Sequence, residues 1–301
     1  MYLETTNIEG VLDSYSGYLH SGHPKNANRF DLARKLDREG AIAEAITFAM
    51  LQTMDLQPEI HEQVGIGGAD FICCGSRGPL FKRSPEDRFV VEATSLSPDA
   101  VSNRSNIPNE VPEGIGGCAF GLLTQNICNK AKDKAPQLEG YAMPRVLAIA
   151  SSHFGIAMLF DRGPAEWALV SDPHFRHEIG SKVADPSQYT DLDRSVFIKP
   201  GPEGSIIACR QSISAILLIA VYGNHSEVYG ILHPEPAYPL NINLLSGLPF
   251  VRIGKWPITN GRITTEWVIG NPNGLNVRHF PARLATVRRE GVAVLQEPEL
   301  E

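Results

Sequence analysis

The spacing of apolar residues changes character several times along the chain. Over residues 1–27, Gly, Ser, Asn and Tyr mix without a period, which predicts an arm or irregular lead-in rather than core. From Asn28 to Met54 the spacing becomes helical, and Gly40 is expected to separate a shorter charged helix from a longer one over 39–54. In the longer helix Ile42, Ile46, Ala49, Met50 and Thr53 share one face, while Ala41, Phe48 and Leu51 take the other side around a lone Glu44. Burial on both sides is therefore predicted. Three short β-leaning runs follow at 59–64, 69–74 and 89–95, broken by Gly-rich or Pro-containing turns, as in an antiparallel meander. Residues 114–138 read as a helix entered through a Gly-Pro-rich loop, with Phe120, Leu123, Ile127, Ala131 and Leu138 on one stripe. A short buried strand at 145–150 comes after Pro144.

This α-β-β-β-α-β order predicts an α/β fold with a mixed central sheet flanked by helices. Further on, a helix-like stretch at 154–160 precedes two strong strands at 215–222 and 228–232. From Leu240 onward, turns rich in Gly, Pro and Asn separate β-leaning runs such as 262–269. The expected organisation is an arm over 1–27, one domain over 28–240, and a β-rich extension of that domain over 241–301.

Composition narrows the function classes. The 301 residues are 43% hydrophobic and 20% charged, ordinary for a chain with a sizeable core. The longest uncharged apolar run, 213–222, is too short to span a bilayer, and the start of the chain is acidic and polar. A cytoplasmic protein with no membrane contact is expected. The five cysteines, Cys73, Cys74, Cys118, Cys128 and Cys209, form no CxxC pair and stand at no metal-ligand spacing to histidine, so they read as reduced packing residues. A net charge of −7 gives no whole-molecule attraction to polyanions. Nucleic-acid contact would need local patches, for which Lys82, Arg83 and Arg88, then Lys130 and Lys132, then Arg278, His279, Arg283, Arg288 and Arg289 are the candidates. Such contacts position a substrate without reading its sequence.

Four features line up as candidate chemistry: Glu44 in the apolar helix, Asp70 in Gly67-Gly68-Ala69-Asp70-Phe71, Glu92 in Val90-Val91-Glu92-Ala93-Thr94, and Lys134 with Gln137 in Lys134-Ala135-Pro136-Gln137-Leu138. A carboxylate in the setting of Glu44 is costly unless a cation or a donor meets it. Glu92, Thr94 and Val90 share one strand face by their period of two. Lys134 projects into the apolar stripe of its helix and Lys132 away from it; Lys130, four residues before Lys134, is its rival. Pro136 predicts a kink or an end to the helix, with Gln137 displaced.

In this order these residues resemble the PD-(D/E)XK nuclease superfamily. The lysine expected two residues after the glutamate is replaced here by Thr94, and Lys134 to Leu138 resembles the Lys-x-x-Gln-Leu run of a subset whose lysine has migrated to the following helix. The strand after Pro144 also looks like that subset's next strand, and 214–219 with His233-Pro234-Glu235-Pro236 is similar to its closing strand and Pro-rich exit. The resemblance covers 28–240 and is most specific over 44–138. It implies a restriction-endonuclease-like core, hydrolysis of phosphodiester bonds, and DNA as substrate. Asp70, Glu92 and the Ala93 backbone carbonyl would bind Mg²⁺, with Mn²⁺ able to substitute. Glu44 would assist the metal or its waters, Lys134 would activate water or stabilise the transition state, and Gln137 would orient Lys134. A hard cation prefers oxygen donors, generates hydroxide and neutralises phosphorane charge, which is why such chemistry uses paired carboxylates. A homodimer is compatible with this reading and nothing in the residues demands one. The absent strand lysine leaves a second expectation, a nuclease fold kept as a non-catalytic module that binds nucleic acid or protein.

Weaker groupings read as structure. Tyr15, Tyr18, His20 and His23, and Asp172 with His174 and His177, contain metal-ligating types without a convincing ligand set. Cys73-Cys74 beside Asp70 has no visible histidine partner. Gly65-Ile66-Gly67-Gly68 lacks the Lys-Ser/Thr ending of a phosphate loop.

Overall fold

Polar caps and a proline set the starts of three helices at the beginning of the chain. The side chain of Asn7 accepts the Gly10 N–H (2.8 Å) and opens α1, Ile8–Gly22. Pro24 occupies the first position of α2, Pro24–Leu36, where its missing N–H removes no helical bond. Asp37 then caps α3, Arg38–Thr53, by accepting the Gly40 N–H at 3.1 Å. The helix break thus falls at Asp37 and not at the expected Gly40, which sits in the first turn of α3 because a Cβ there would collide with the Asp37 carboxylate.

The computed structural model describes residues 2–4, 7–62, 68–75, 84–96, 101, 120–153, 162–171, 174–176, 187–190, 192–222, 225–259, 262–270, 284–287 and 293–296. Two more helices follow, α4 Phe120–Leu138 and α5 Arg162–Val170. The strands are β1 Tyr2–Glu4, β2 Glu59–Ile60, β3 Phe71–Cys74, β4 Arg88–Ser95, β5 Arg145–Ser151, β6 His174–Arg176, β7 Ser187–Thr190, β8 Ile198–Pro200, β9 Ile206–Ala208, β10 Ala215–Tyr222, β11 His225–Leu232, β12 Pro249–Ile253, β13 Arg262–Ile269, β14 Leu284–Val287 and β15 Ala293–Gln296.

One mixed sheet runs β2-β3-β4-β5-β10-β11-β12-β13-β14-β15-β7-β6, with β1 on the free edge of β11 beside β12; β8 and β9 form a separate hairpin. The β2-β3-β4 meander is antiparallel, and β4, β5 and β10 are parallel neighbours. Central β5 is buried along its whole length, as a strand covered on both faces must be. Alternate residues face opposite layers: Phe71, Cys73, Phe89, Val91, Val146 and Ala148 pack with α1, α2 and α3, while Val90, Leu147, Ile149, Ile216 and Leu218 pack with α4 and α5. Among the described residues, no helix is long and apolar enough to cross a membrane.

The expected arm is the largest departure. Residues 8–22 form a helix whose Val11, Leu12, Tyr15 and Leu19 are buried in the same cluster as α3. Gly, Ser and Tyr dilute the apolar signal there, yet these four positions fall on one helical stripe. Further on, the helix α4 does not end at Pro136 but at Leu138; only one backbone donor is lost so near the terminus, and the Glu139 N–H closes a tighter turn onto the Pro136 carbonyl (3.3 Å). The helix-like stretch at 154–160 lies outside the described residues.

If α1 is core, Leu12→Ala, at a fully buried site, lowers stability by about 2–5 kcal/mol. Urea denaturation reads this directly, and a loss under about 0.5 kcal/mol, the scale of a surface change, would return the segment to the status of an arm.

Candidate active site

The site forms where a strand pair ends unevenly. β3 stops at Phe71, opposite Val91, while β4 continues to Ser95, so the β3 side of β4 is open beyond Val91. The Val90 and Leu96 amides donate to the Pro144 and Ala150 carbonyls on the β5 side, so the intervening odd residues point the other way. Asp70 Oδ2 fills that open side by accepting the Ala93 N–H at 2.7 Å. A strand residue directs its N–H and C=O to the same side, so the Ala93 carbonyl emerges next to Asp70.

The turn before Asp70 explains its placement. Gly68 has φ of 123°, a conformation side chains avoid, and a Cβ there would press on the Tyr141 hydroxyl. That hydroxyl instead accepts the Ala69 N–H at 2.7 Å, and the Asp70 carbonyl accepts the His61 N–H at 2.8 Å.

Glu92 points to the opposite face from Ala93, towards α4, and is 4% exposed. Its Oε1 accepts from Lys134 Nζ at 2.6 Å, and Lys134 Nζ also donates to Gln137 Oε1 at 3.1 Å. Glu92 Oε2 is buried and has no hydrogen-bond partner among the described residues. Such an oxygen is costly unless something electropositive meets it. One turn earlier on α4, Lys130 Nζ reaches Thr94 Oγ1 at 3.5 Å, not a carboxylate.

Glu44 comes from the α3 side. Its Oε1 accepts from Tyr15 Oη at 2.8 Å and from Arg29 Nη2 at 2.7 Å, and the other arm of Arg29 meets Glu62 Oε2 at 2.6 Å. The four carboxylates feel one another. Burial pushes Asp70 well above the usual carboxylate range, with the charges of Glu92 and Glu44 adding to it. Burial also raises Glu44 against the pull of Arg29, and raises Glu92 against that of Lys134. Glu62 adds to the repulsion at all three, and the Tyr15 phenol is pushed up by burial beside Glu44.

Of the expected residues, hydrogen bonds join Glu92, Lys134 and Gln137 in one cluster and Asp70 to Ala93 on the same strand, Glu44 meets them through its charge, and Gln137 is exposed. Tyr15, Arg29 and Glu62 were missed. Tyr15 sits on the helical stripe of α1, a detectable signal, whereas nothing in the sequence marks Arg29 or Glu62 among their charged neighbours.

The other groupings are only partly described. Tyr15 serves Glu44, and His20 Nε2 lies 2.9 Å from Asp31. Asp172, His177, Gly65 to Gly67, Cys118, Lys82, Arg83, Arg278, His279, Arg283, Arg288 and Arg289 lie outside the described residues. No disulfide joins Cys73, Cys74, Cys128 or Cys209.

Among the described residues, no group of three or more His, Cys, Asp and Glu side chains stands ready to hold a metal ion. Magnesium asks for less, since it keeps several waters and takes one or two carboxylates. The hard oxygens of Asp70 and Ala93 and the unpartnered Glu92 Oε2 fit that demand. Charge agrees: Glu44, Glu62, Asp70 and Glu92 against Arg29 and Lys134 leave two negative charges when all are ionised.

No protein-family model, no curated protein and no solved structure matches the chain.

Because folding raises the Asp70 pKa, the stability contributed by its proton is present below the ordinary value of about 4 and is lost as pH rises through the raised value. Asp70→Asn, which retains an acceptor for Ala93, should therefore raise the melting temperature in EDTA at pH 8 by roughly 2–4 °C, near 1 kcal/mol for a chain of this size. The gain shrinks towards pH 4. Mn²⁺ raises the wild-type melting temperature and leaves the variant unmoved; a variant less stable than wild type at pH 8 would contradict this electrostatic account.

Proposed function

We propose that the chain is a Mg²⁺-dependent nuclease with a restriction-endonuclease-like core, of the PD-(D/E)XK type whose lysine stands on the helix after the strand, hydrolysing phosphodiester bonds of DNA. The observation that carries this reading is the state of Glu92: one oxygen held by Lys134 at 2.6 Å and the other buried without a partner among the described residues. A carboxylate serving only a salt bridge has no reason to leave a buried oxygen unsatisfied.

Each residue then has a task. Asp70 and Glu92, with the Ala93 carbonyl, would hold the ion. The bound ion would supply a water of lowered pKa and neutralise charge on the phosphorus centre. Lys134 holds Glu92 in register and directs its remaining protons towards the attacking water or the phosphoryl oxygens. Gln137 fixes the Lys134 ammonium from the solvent side, and Glu44, held by Tyr15 and Arg29, orders water at the inner rim. Lys130, one turn before Lys134 on the same side of α4, extends the cationic face along which a phosphate backbone would lie despite the acidic whole molecule.

A second reading, a nuclease fold that binds without cutting, is favoured by one feature: Thr94 stands where a strand lysine would be, so Lys134 is the sole cation on Glu92 among the described residues.

Supercoiled plasmid and single-stranded DNA incubated with the protein and Mg²⁺, Mn²⁺ or EDTA separate these readings. Cleavage is expected with either metal and not with EDTA, and Glu92→Ala and Lys134→Ala should each lower the rate by about 10²-fold or more with the circular dichroism spectrum retained. A folded Glu92→Ala protein cutting at the wild-type rate would sink the assignment. DNA binding without cutting under every condition would move it to the non-catalytic module.

A further inference from the structure

Arg29 is the unexpected charge in the site. It reaches from α2 to two carboxylates on different segments, Glu44 on α3 and Glu62 in the segment that follows β2, at 2.7 and 2.6 Å. Its Nε is buried without a hydrogen-bond partner among the described residues, and its side chain is 30% exposed. Nothing in a guanidinium can accept a metal, and it does not lose its proton under ordinary conditions. Burial disfavours its charge, but Glu44, Glu62 and Asp70 outweigh that and hold the proton more firmly still.

We propose that Arg29 occupies the place of a second divalent cation, so that the site takes one metal ion at Asp70 and Glu92 and excludes another from Glu44 and Glu62. This rests on the reading of Asp70 and Glu92 as a metal centre. Two-ion phosphodiesterases place their ions on a shared carboxylate, clamping the attacking and the leaving oxygen. With Arg29 in place the guanidinium supplies the counter-charge itself: Glu44 Oε1 is engaged by both Tyr15 and Arg29 and Glu62 Oε2 by Arg29, so a second divalent ion would have to approach against a fixed positive charge. A neutral residue at position 29 would instead leave two more carboxylates without a counter-charge, the condition under which a divalent ion is recruited. Arg29 is therefore a positioning residue that sets metal stoichiometry.

The test is Mn²⁺ stoichiometry by equilibrium dialysis with electron paramagnetic resonance of the free ion, on the full chain. Wild type and Arg29→Lys should bind one ion per chain, Arg29→Met two, and Arg29→Met with Glu62→Gln one again. Arg29→Met is expected to melt lower than wild type in EDTA and to recover with Mn²⁺. Two ions on the wild type, or one on a folded Arg29→Met protein, would overturn the proposal, as would an Arg29→Met protein that stays unfolded at saturating Mn²⁺. No ion on the wild type would overturn the metal-centre reading beneath it, whereas one ion on every variant leaves that reading standing and removes only the role of Arg29.

Discussion

The contact between Lys134 and Glu92 carries the electrostatics of the open sheet edge. A carboxylate taken from water loses hydration that a single partner restores only in part. Glu92 meets a lysine on one oxygen and no hydrogen-bond donor among the described residues on the other, while Asp70 spends one oxygen on a backbone amide. Each therefore retains capacity for a cation, and the charge of Glu92 makes Asp70 harder still to ionise. The arrangement is poor for stability and suited to holding a charged ligand, the usual relation between a binding site and its fold.

The rest of the fold serves that edge from two sides. From one face, α4 delivers Lys130 and Lys134 one turn apart, anchored by Ile127, Ala131 and Leu138 in the core beneath β4. From the other, α1, α2 and α3 deliver Tyr15, Arg29 and Glu44, anchored by Leu12, Phe30 and Ile46. The short β3 lets both layers meet at Asp70. Had β3 paired further along β4, a main-chain acceptor would have taken the Ala93 amide and left no place for that side chain.

Much of this was legible in the sequence because it depends on local periods. A period of two put Glu92 with Val90 and Thr94 on one strand face, and helical projection turned Lys134 inward and Lys132 outward, as the side chains stand. The buried setting of Glu44 followed from apolar residues on both sides of it. What escaped were long-range partners and one weak stripe. Arg29 and Glu62 find each other only through the packing of α2 against the segment that follows β2, where Asn26 also donates to the Glu62 carbonyl, and no spacing encodes that. The core helix α1 was hidden because its polar and small residues outnumber the four that are buried. Pro136 does not end its helix, since a proline two residues from a helix end costs little.

The central claim is that Glu92 serves Lys134 with one oxygen and a divalent ion with the other. Anomalous diffraction from crystals soaked in Mn²⁺ tests it most directly. The account predicts a peak at bonding distance, roughly 2.0–2.6 Å, from Asp70, Glu92 Oε2 and the Ala93 carbonyl, with Lys134 Nζ still on Glu92 Oε1. A peak elsewhere, none at all, or a Glu92 that abandons Lys134 to chelate the ion with both oxygens would contradict it.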